Sequence, residues 1–236
     1  MDKQSSGMQQ VITLSAPSCQ ENLFLSEVIA SYDKQAMITL IIPQDTAIEL
    51  VDDIAYNNKA SVQITLIVEQ DASVIYTLRA ADKIEQSEIK SVMIDRSLSV
   101  VLNGKRAHAD VRCVCYGDAD DSFTFKMLQE HRAQDTTSSV VVKAVLNGNA
   151  RLSCKGLIRV EQGGSGTNAN LVNKNILLSR SAKAISVPML EVKTNDVKCK
   201  HGAAVSRLSD EHRFYLESKG IDPLHTEKIL LKAFLE

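Results

Sequence analysis

From Gln35 to Arg207 the chain alternates apolar and polar residues with a period of two, and this narrows the fold more than any other feature. Segments such as SVQITLIVEQ, SVIYTLRA, SSVVVKAVLNG and SCKGLIRVEQ send every second side chain to one face, as a pleated strand does. Each run is closed by Asn, Gly, Asp, Ser or Pro, the residues that turn a chain. No stretch between these positions carries the three-to-four-residue spacing of an amphipathic helix. The region is therefore expected to be all-β, built of strands of about 5–8 residues.

A second regularity lies above the strands. VLNG at Val101–Gly104 returns at Val145–Gly148, an offset of 44 residues. Strand signals near Phe123 and Leu171 halve that offset to ~22, the size of one coil of a stacked β-solenoid. Such a stack buries an aliphatic column, and the composition suits it: hydrophobic residues are 44%, aromatic residues 4%, and Trp is absent. A β-sandwich uses the same short strands but rarely carries an internal echo. The expectation is a solenoid over 35–207, preceded by a loose or partly structured segment over 1–34.

After Arg207 the period becomes helical over 208–236. Ser209 can cap a helix whose first turn holds Asp210 and Glu211, and Gly220 can close it. Asp222 followed by Pro223 opens a second helix in the same way. Phe214, Leu216, Leu224, Ile229, Leu230, Leu231, Phe234 and Leu235 cover more than one face of this short hairpin, so it is expected to seek a partner.

Composition bounds the function classes. A formal charge of -2 gives no electrostatic case for nucleic acid or an anionic membrane as the main partner. No run approaches the roughly 20 apolar residues that span a bilayer, and MDKQSSGMQQ lacks the build of a secretory signal, so a cytoplasmic location is expected. Five cysteines, odd in number and scattered, suit free thiols in a reducing compartment. Few aromatics argue against a carbohydrate-binding cleft.

Enzyme signatures are missing: there is no GxxxxGK[ST] loop and no HExxH, and GGSGT at Gly163–Thr167 misses the GxSxG elbow by its last residue. His108, His131, His212 and His225 stand apart from any metal spacing and read as surface or hydrogen-bonded structural histidines. Cys113 and Cys115 share a strand face and read as small buried residues. Cys154 and Cys19 carry no further signal. The exception is DVKCKHGA at Asp196–Ala203. On a strand, Val197, Cys199 and His201 point one way and Lys198 and Lys200 the other, setting a thiol beside an imidazole. That pair suits iron, an iron–sulfur cluster or zinc, and equally a half-buried strand that ends at Gly202.

The segment PMLEVKTNDVKCKHGAAVSRLSDEHRFYLESKGI (Pro188–Ile221), preceded by TNANLVNKNILLS (Thr167–Ser179), resembles the core of the SufB/SufD family, scaffold proteins of the SUF iron–sulfur cluster assembly system. P-x-L-E-[IV], DVKCxHGA and DExxFYLxSKGI follow the family's order and spacing. The resemblance implies a right-handed parallel β-helix with a C-terminal helical hairpin, which docks on the ABC-type ATPase SufC. It also implies pairing with a SufB-like partner, or with itself as a homodimer, through terminal β-helix strands. On this view the protein is not an enzyme. Cys199 and His201 would meet a transient cluster or iron at a shared interface, with none held stably by the isolated chain. Phe214, Tyr215, Leu230 and Phe234 would contact the ATPase. Gly202 stands where SufB-like chains resemble a glutamate, and Asn173 where they carry a cysteine, so the likeness is to SufD. The competing readings are a β-solenoid enzyme acting on polysaccharide and a purely structural interaction module.

Overall fold

The computed structural model describes residues 9–13, 23–25, 35–54, 61–80 and 91–236. Cys19 and most of the 1–18 start lie outside them. Among the described residues fourteen strands run in order: β1 Gln9–Thr13, β2 Leu23–Phe24, β3 Gln35–Ile42, β4 Ala47–Asp53, β5 Ser61–Val68, β6 Ser73–Ala80, β7 Met93–Leu102, β8 His108–Gly117, β9 Ser122–His131, β10 Thr137–Leu146, β11 Arg151–Val160, β12 Thr167–Leu177, β13 Lys183–Val192 and β14 Val197–Ser206. Two helices follow, α1 Asp210–Ser218 and α2 Pro223–Leu235. Odd-numbered strands form one parallel sheet in the order β1-β3-β5-β7-β9-β11-β13, and even-numbered strands form a second. The chain thus crosses from sheet to sheet at every turn and climbs one strand spacing per coil, the parallel solenoid expected from the alternation. β1 and β2 belong to the stack as well, paired with β3 and β4.

The coil is longer than the echo suggested. Met93, His108, Ser122 and Thr137 start successive strands, in steps of 15, 14 and 15 residues, and one coil takes two steps. The two VLNG copies end β7 and β10, which lie in opposite sheets, so the 44-residue offset is three half-coils and the ~22-residue coil is corrected to 29–32 residues from β7 onward, with 26–35 between the paired strands β3–β8. The physical cause is that both sheets share one pleat alternation and one turn chemistry. An echo at three half-coils is then as strong as one at two. From β7 onward the strands also run to 10 or 11 residues.

In-register parallel pairing stacks like positions into columns. One interior column runs Leu50, Tyr76, Val111, Val140, Leu171, and the facing sheet supplies Ile38, Ile64, Leu98 and Met127. These side chains are buried in one continuous core. Gly156 is needed inside it: a Cβ there would lie 2.4 Å from Leu171 Cδ1, which reaches across from the other sheet. Corners stack too. Asp71, Arg106 and Asp135 take left-handed φ of 55°, 60° and 59° in successive turns, and their N–H groups donate to Lys105, Gln134 and Ser165 carbonyls of the next coil.

The helix signals act as expected. Ser209 Oγ accepts from the His212 N–H, Asp222 Oδ1 accepts from the Leu224 and His225 N–H groups, and Gly220 ends α1 at φ 87°. α2 lies on the outer face of the second sheet, burying Leu231 and Leu235 against Val145 and Ile176. Lys143 Nζ sits 5.9 Å from the Phe234 ring centroid, a cation–π contact that pins the same face. No residue of α1 is buried.

Candidate functional site

The solenoid ends abruptly at β13 and β14, and this end gathers the residues singled out from the sequence. β14 pairs with β12 so that Cys199 stands on Ala169 and His201 on Leu171. Both columns are interior lower in the stack, where Val74, Ala109, Tyr76 and Val140 are buried. Among the described residues no further coil covers β14, so Cys199 is only half-buried and His201 is exposed although both occupy inward-facing positions. Lys198 and Lys200 are exposed on the opposite face, as the alternation required. The companion strand β13 is uncovered in the same way at Leu190, 43% exposed, as β14 is at Val205, 50% exposed, and Ile185 on the outer row of β13 is 59% exposed. Two strand edges with unpaired backbone groups and this much apolar surface form a template for another chain.

Directly beneath lies a polar layer of which the sequence reading named Asn173 alone, by resemblance, and not its inward position. Asn173 Nδ2 donates to Ser186 Oγ at 2.7 Å and Asn175 Nδ2 to the same oxygen at 3.4 Å, bridging the two sheets. Both asparagines are buried, and the Oδ1 atom of each is unpartnered. Parity would have found them, since Asn173 and Asn175 alternate with Leu171 on the inward face. The same test finds Arg96, between Ile94 and Leu98, whose Nε lies 3.3 Å from the buried Asp52 Oδ2, which also accepts from the Tyr76 hydroxyl at 2.9 Å.

The other thiols are not part of the exposed end. Cys113 and Cys115 are fully buried, and the small-core-residue reading of the pair holds. Burial first, and neighbouring thiols second, push both well above the ordinary thiol range. Cys154 is pushed up to about 12 by burial. Such thiols are poor nucleophiles and poor metal ligands at neutral pH. Cys199 is raised only by its partial burial. Among the described residues no three His, Cys, Asp or Glu side chains converge as a metal site. Cys199 and His201, two residues apart and so ~6.6 Å along the strand, supply at most two of the roughly four ligands that a cluster takes.

The hairpin carries a second surface. Between α1, α2 and the link from β14 runs a groove of about 550 Å³ lined by Leu208, His212, Tyr215, Leu216, Leu230 and Phe234 over Ile176. Phe214 and Tyr215 are exposed at 75% and 60%, whereas Leu230 and Phe234 are half-buried. The four residues expected to act together therefore divide: Phe214 stands free on α1, whereas Tyr215 of α1 lines the groove with Leu230 and Phe234 of α2. His131 proves structural, buried between Thr136 and Ser138. Among the described residues, no helix is long and apolar enough to cross a membrane.

Comparison with known proteins adds to this geometry. A family profile described as SUF system FeS cluster assembly, SufBD core domain, matches residues 16–234. The iron-sulfur cluster assembly protein SufD of Escherichia coli is 29% identical over 142 residues, a stretch covering 60% of this chain and 34% of that protein. A SufBD family protein of Mycobacterium leprae is 29% identical over 146 residues, covering 58% of this chain and 37% of the relative. One of Mycobacterium bovis is 28% identical over 150 residues, covering 60% and 38%. The matched stretch thus spans little more than a third of each of these relatives.

Proposed function

Because the chain belongs to the SufBD core-domain family of the SUF iron–sulfur cluster assembly system, we propose that it is a non-catalytic scaffold subunit, pairing end on with a SufB-like chain and docking an ABC-type ATPase of the SufC kind on its hairpin. Gly202 and Asn173, the two SufD-like departures, agree with the name of the Escherichia coli relative. The observation that carries the proposal is the uncovered terminal coil, which presents Cys199 and His201 from interior positions at an unpaired edge.

In this reading iron and sulfide are cargo. The partner's end covers β13 and β14, buries their apolar residues and brings the missing ligands opposite Cys199 and His201. The Cys199 thiol gives up its proton as iron binds, so loading releases acid. Three residues, Arg207–Ser209, separate β14 from α1. A nucleotide-driven pull on α1 therefore acts on the strand that carries Cys199 and His201, while α2 stays anchored on the second sheet through Leu231 and Leu235.

The test is co-expression of the full chain with SufB-like and SufC-like proteins, followed by sizing and by iron and sulfide determination. A ternary complex is expected, with His201→Ala assembling normally but building fewer clusters and Cys199→Ser showing a smaller loss. Normal cluster formation by both variants would return the pair to the role of strand-end residues, and absence of a complex would remove the scaffold reading.

A further inference from the structure

We infer that the corner after β10 is a site of spontaneous covalent modification, where Asn147 loses its side-chain amide to ring closure by the Gly148 nitrogen while Asn103, in the other copy of VLNG, keeps its own. Asparagine followed by glycine is the pair most open to this reaction, because glycine has no Cβ to hinder the approach of its nitrogen to the asparagine Cγ. The chain carries the pair twice, in identical VLNG segments, so the fold decides between them. The two asparagines are held alike. Each N–H donates to the coil below, Asn103 to the Val68 carbonyl at 2.9 Å and Asn147 to that of Gly117 at 2.8 Å. Each Nδ2 also donates to a carboxylate of that coil, Asn103 to Glu69 at 3.1 Å and Asn147 to Asp118 at 3.0 Å.

The glycines differ. Gly104 opens a turn that the Ala107 N–H closes on the Gly104 carbonyl, and its own N–H donates to Val68 at 3.2 Å. Gly148 is instead the second residue of its turn, which the Ala150 N–H closes on the Asn147 carbonyl, and its φ of 57° is left-handed. Its N–H has no acceptor among the described residues, and the residue is only half-buried, so hydroxide reaches the proton. Once deprotonated, the nitrogen attacks Asn147 Cγ, the Cγ–Nδ2 bond breaks, and ammonia leaves with a proton regained from water. The succinimide that remains is opened by water, at Cγ to give an aspartate or at the main-chain carbonyl to give an isoaspartyl link. Nothing is oxidised or reduced. At Gly104 the same step must first give up a hydrogen bond, a handicap of about fivefold for an ordinary backbone bond. The product strains the corner, because a carboxylate then replaces the donor that lies 3.0 Å from Asp118 Oδ1. An isoaspartyl link also lengthens the main chain beside the Gly148 carbonyl, which accepts from the Ser179 and Ser181 hydroxyls of the next coil.

The experiment incubates the full chain in mildly alkaline buffer, native and in concentrated urea, and follows both VLNG peptides by proteolytic mapping and mass spectrometry. In the native chain Asn147 should convert at least about fivefold faster than Asn103. Asn147→Gln, its fold checked by unchanged circular dichroism, should suppress most of the ammonia that the native chain releases. In urea, where the hydrogen bonds are gone, the two peptides should convert at nearly equal rates. Equal native rates, faster conversion of Asn103, or no native conversion of Asn147 would overturn the inference. The same preference for Asn147 in urea would overturn it too, because Lys105 and Asn149, which follow the two glycines, would then be its source. Ammonia release undiminished by Asn147→Gln would place the reaction elsewhere and remove the assignment.

Discussion

Acid should loosen the β-body through one buried side chain, His131. It ends β9 on the inward face, in the column of Ile42, Val68, Leu102 and Val160, and is fully buried. Its Nδ1 lies 2.8 Å from the Thr136 hydroxyl and its Nε2 2.8 Å from that of Ser138, which in turn donates to Gln129 Oε1. Because Ser138 gives its proton to Gln129, Nε2 is a donor of the ring, and burial disfavours a second proton on Nδ1. Burial lowers its pKa from 6.5 to about 4. As pH falls below 6.5 the unfolded chain takes up the proton and the native one does not, so stability is lost down to about pH 4 and no further. At about 1.4 kcal/mol per pH unit the loss reaches about 3 kcal/mol. His131→Asn removes the titrating ring. Urea unfolding of both chains, followed by far-UV circular dichroism, should show the wild-type advantage shrinking by about 2.5 kcal/mol between pH 7.5 and 4.5. Comparing the two chains cancels the carboxylates, which titrate in both. A gap that stayed constant within about 0.5 kcal/mol would refute the reasoning.

Paired Phe214→Asp and Tyr215→Asp changes should weaken capture of the ATPase at least about tenfold and leave the urea midpoint unmoved, since neither residue contributes to the core; unchanged capture would place the contact elsewhere. Leu231→Ala should cost about 2–4 kcal/mol of α2 docking, read as faster amide exchange in α2 with the β10 and β12 amides still protected. Protection lost equally in both would mean that the hairpin and the solenoid unfold together. Arg96→Met strands the Asp52 carboxylate in the core and should destabilise by about 3–5 kcal/mol, whereas adding Asp52→Asn should restore much of it. A double variant as unstable as the single one would show that packing rather than charge sets the loss. Iron retained by the assembled complex should rise with pH as Cys199 deprotonates, and the slope should flatten in Cys199→Ser.

Much of the architecture could be read before any coordinates, because strand pleat and helix caps are local. Alternation assigned inward and outward faces correctly through β7–β12, and it put Cys199 and His201 together, opposite Lys198 and Lys200. Ser209, Gly220, Asp222 and Pro223 bounded both helices because each meets the needs of unpaired backbone groups within one turn. Parity would also have flagged Arg96 and Asn175, and the inward position of Asn173, had every inward position been checked for polar residues.

What the alternation could not say is which strand lies beside which. Both sheets obey the same period of two, so VLNG at Val101 and at Val145 look alike in sequence while ending strands in different sheets. The coil length follows from pairing between residues about 30 apart, as in Thr167 with Val197, and that register is fixed by the turns and by the packing of Leu171 over Gly156. Likewise, exposure at a given position depends on what is stacked above it. Leu171 is buried and His201, one coil later in the same column, is open to solvent only because the stack stops there. The sequence by itself determined which way each side chain points, since that is set by the pleat; the tertiary structure alone decided which inward-facing residues remain uncovered, because burial depends on the next coil.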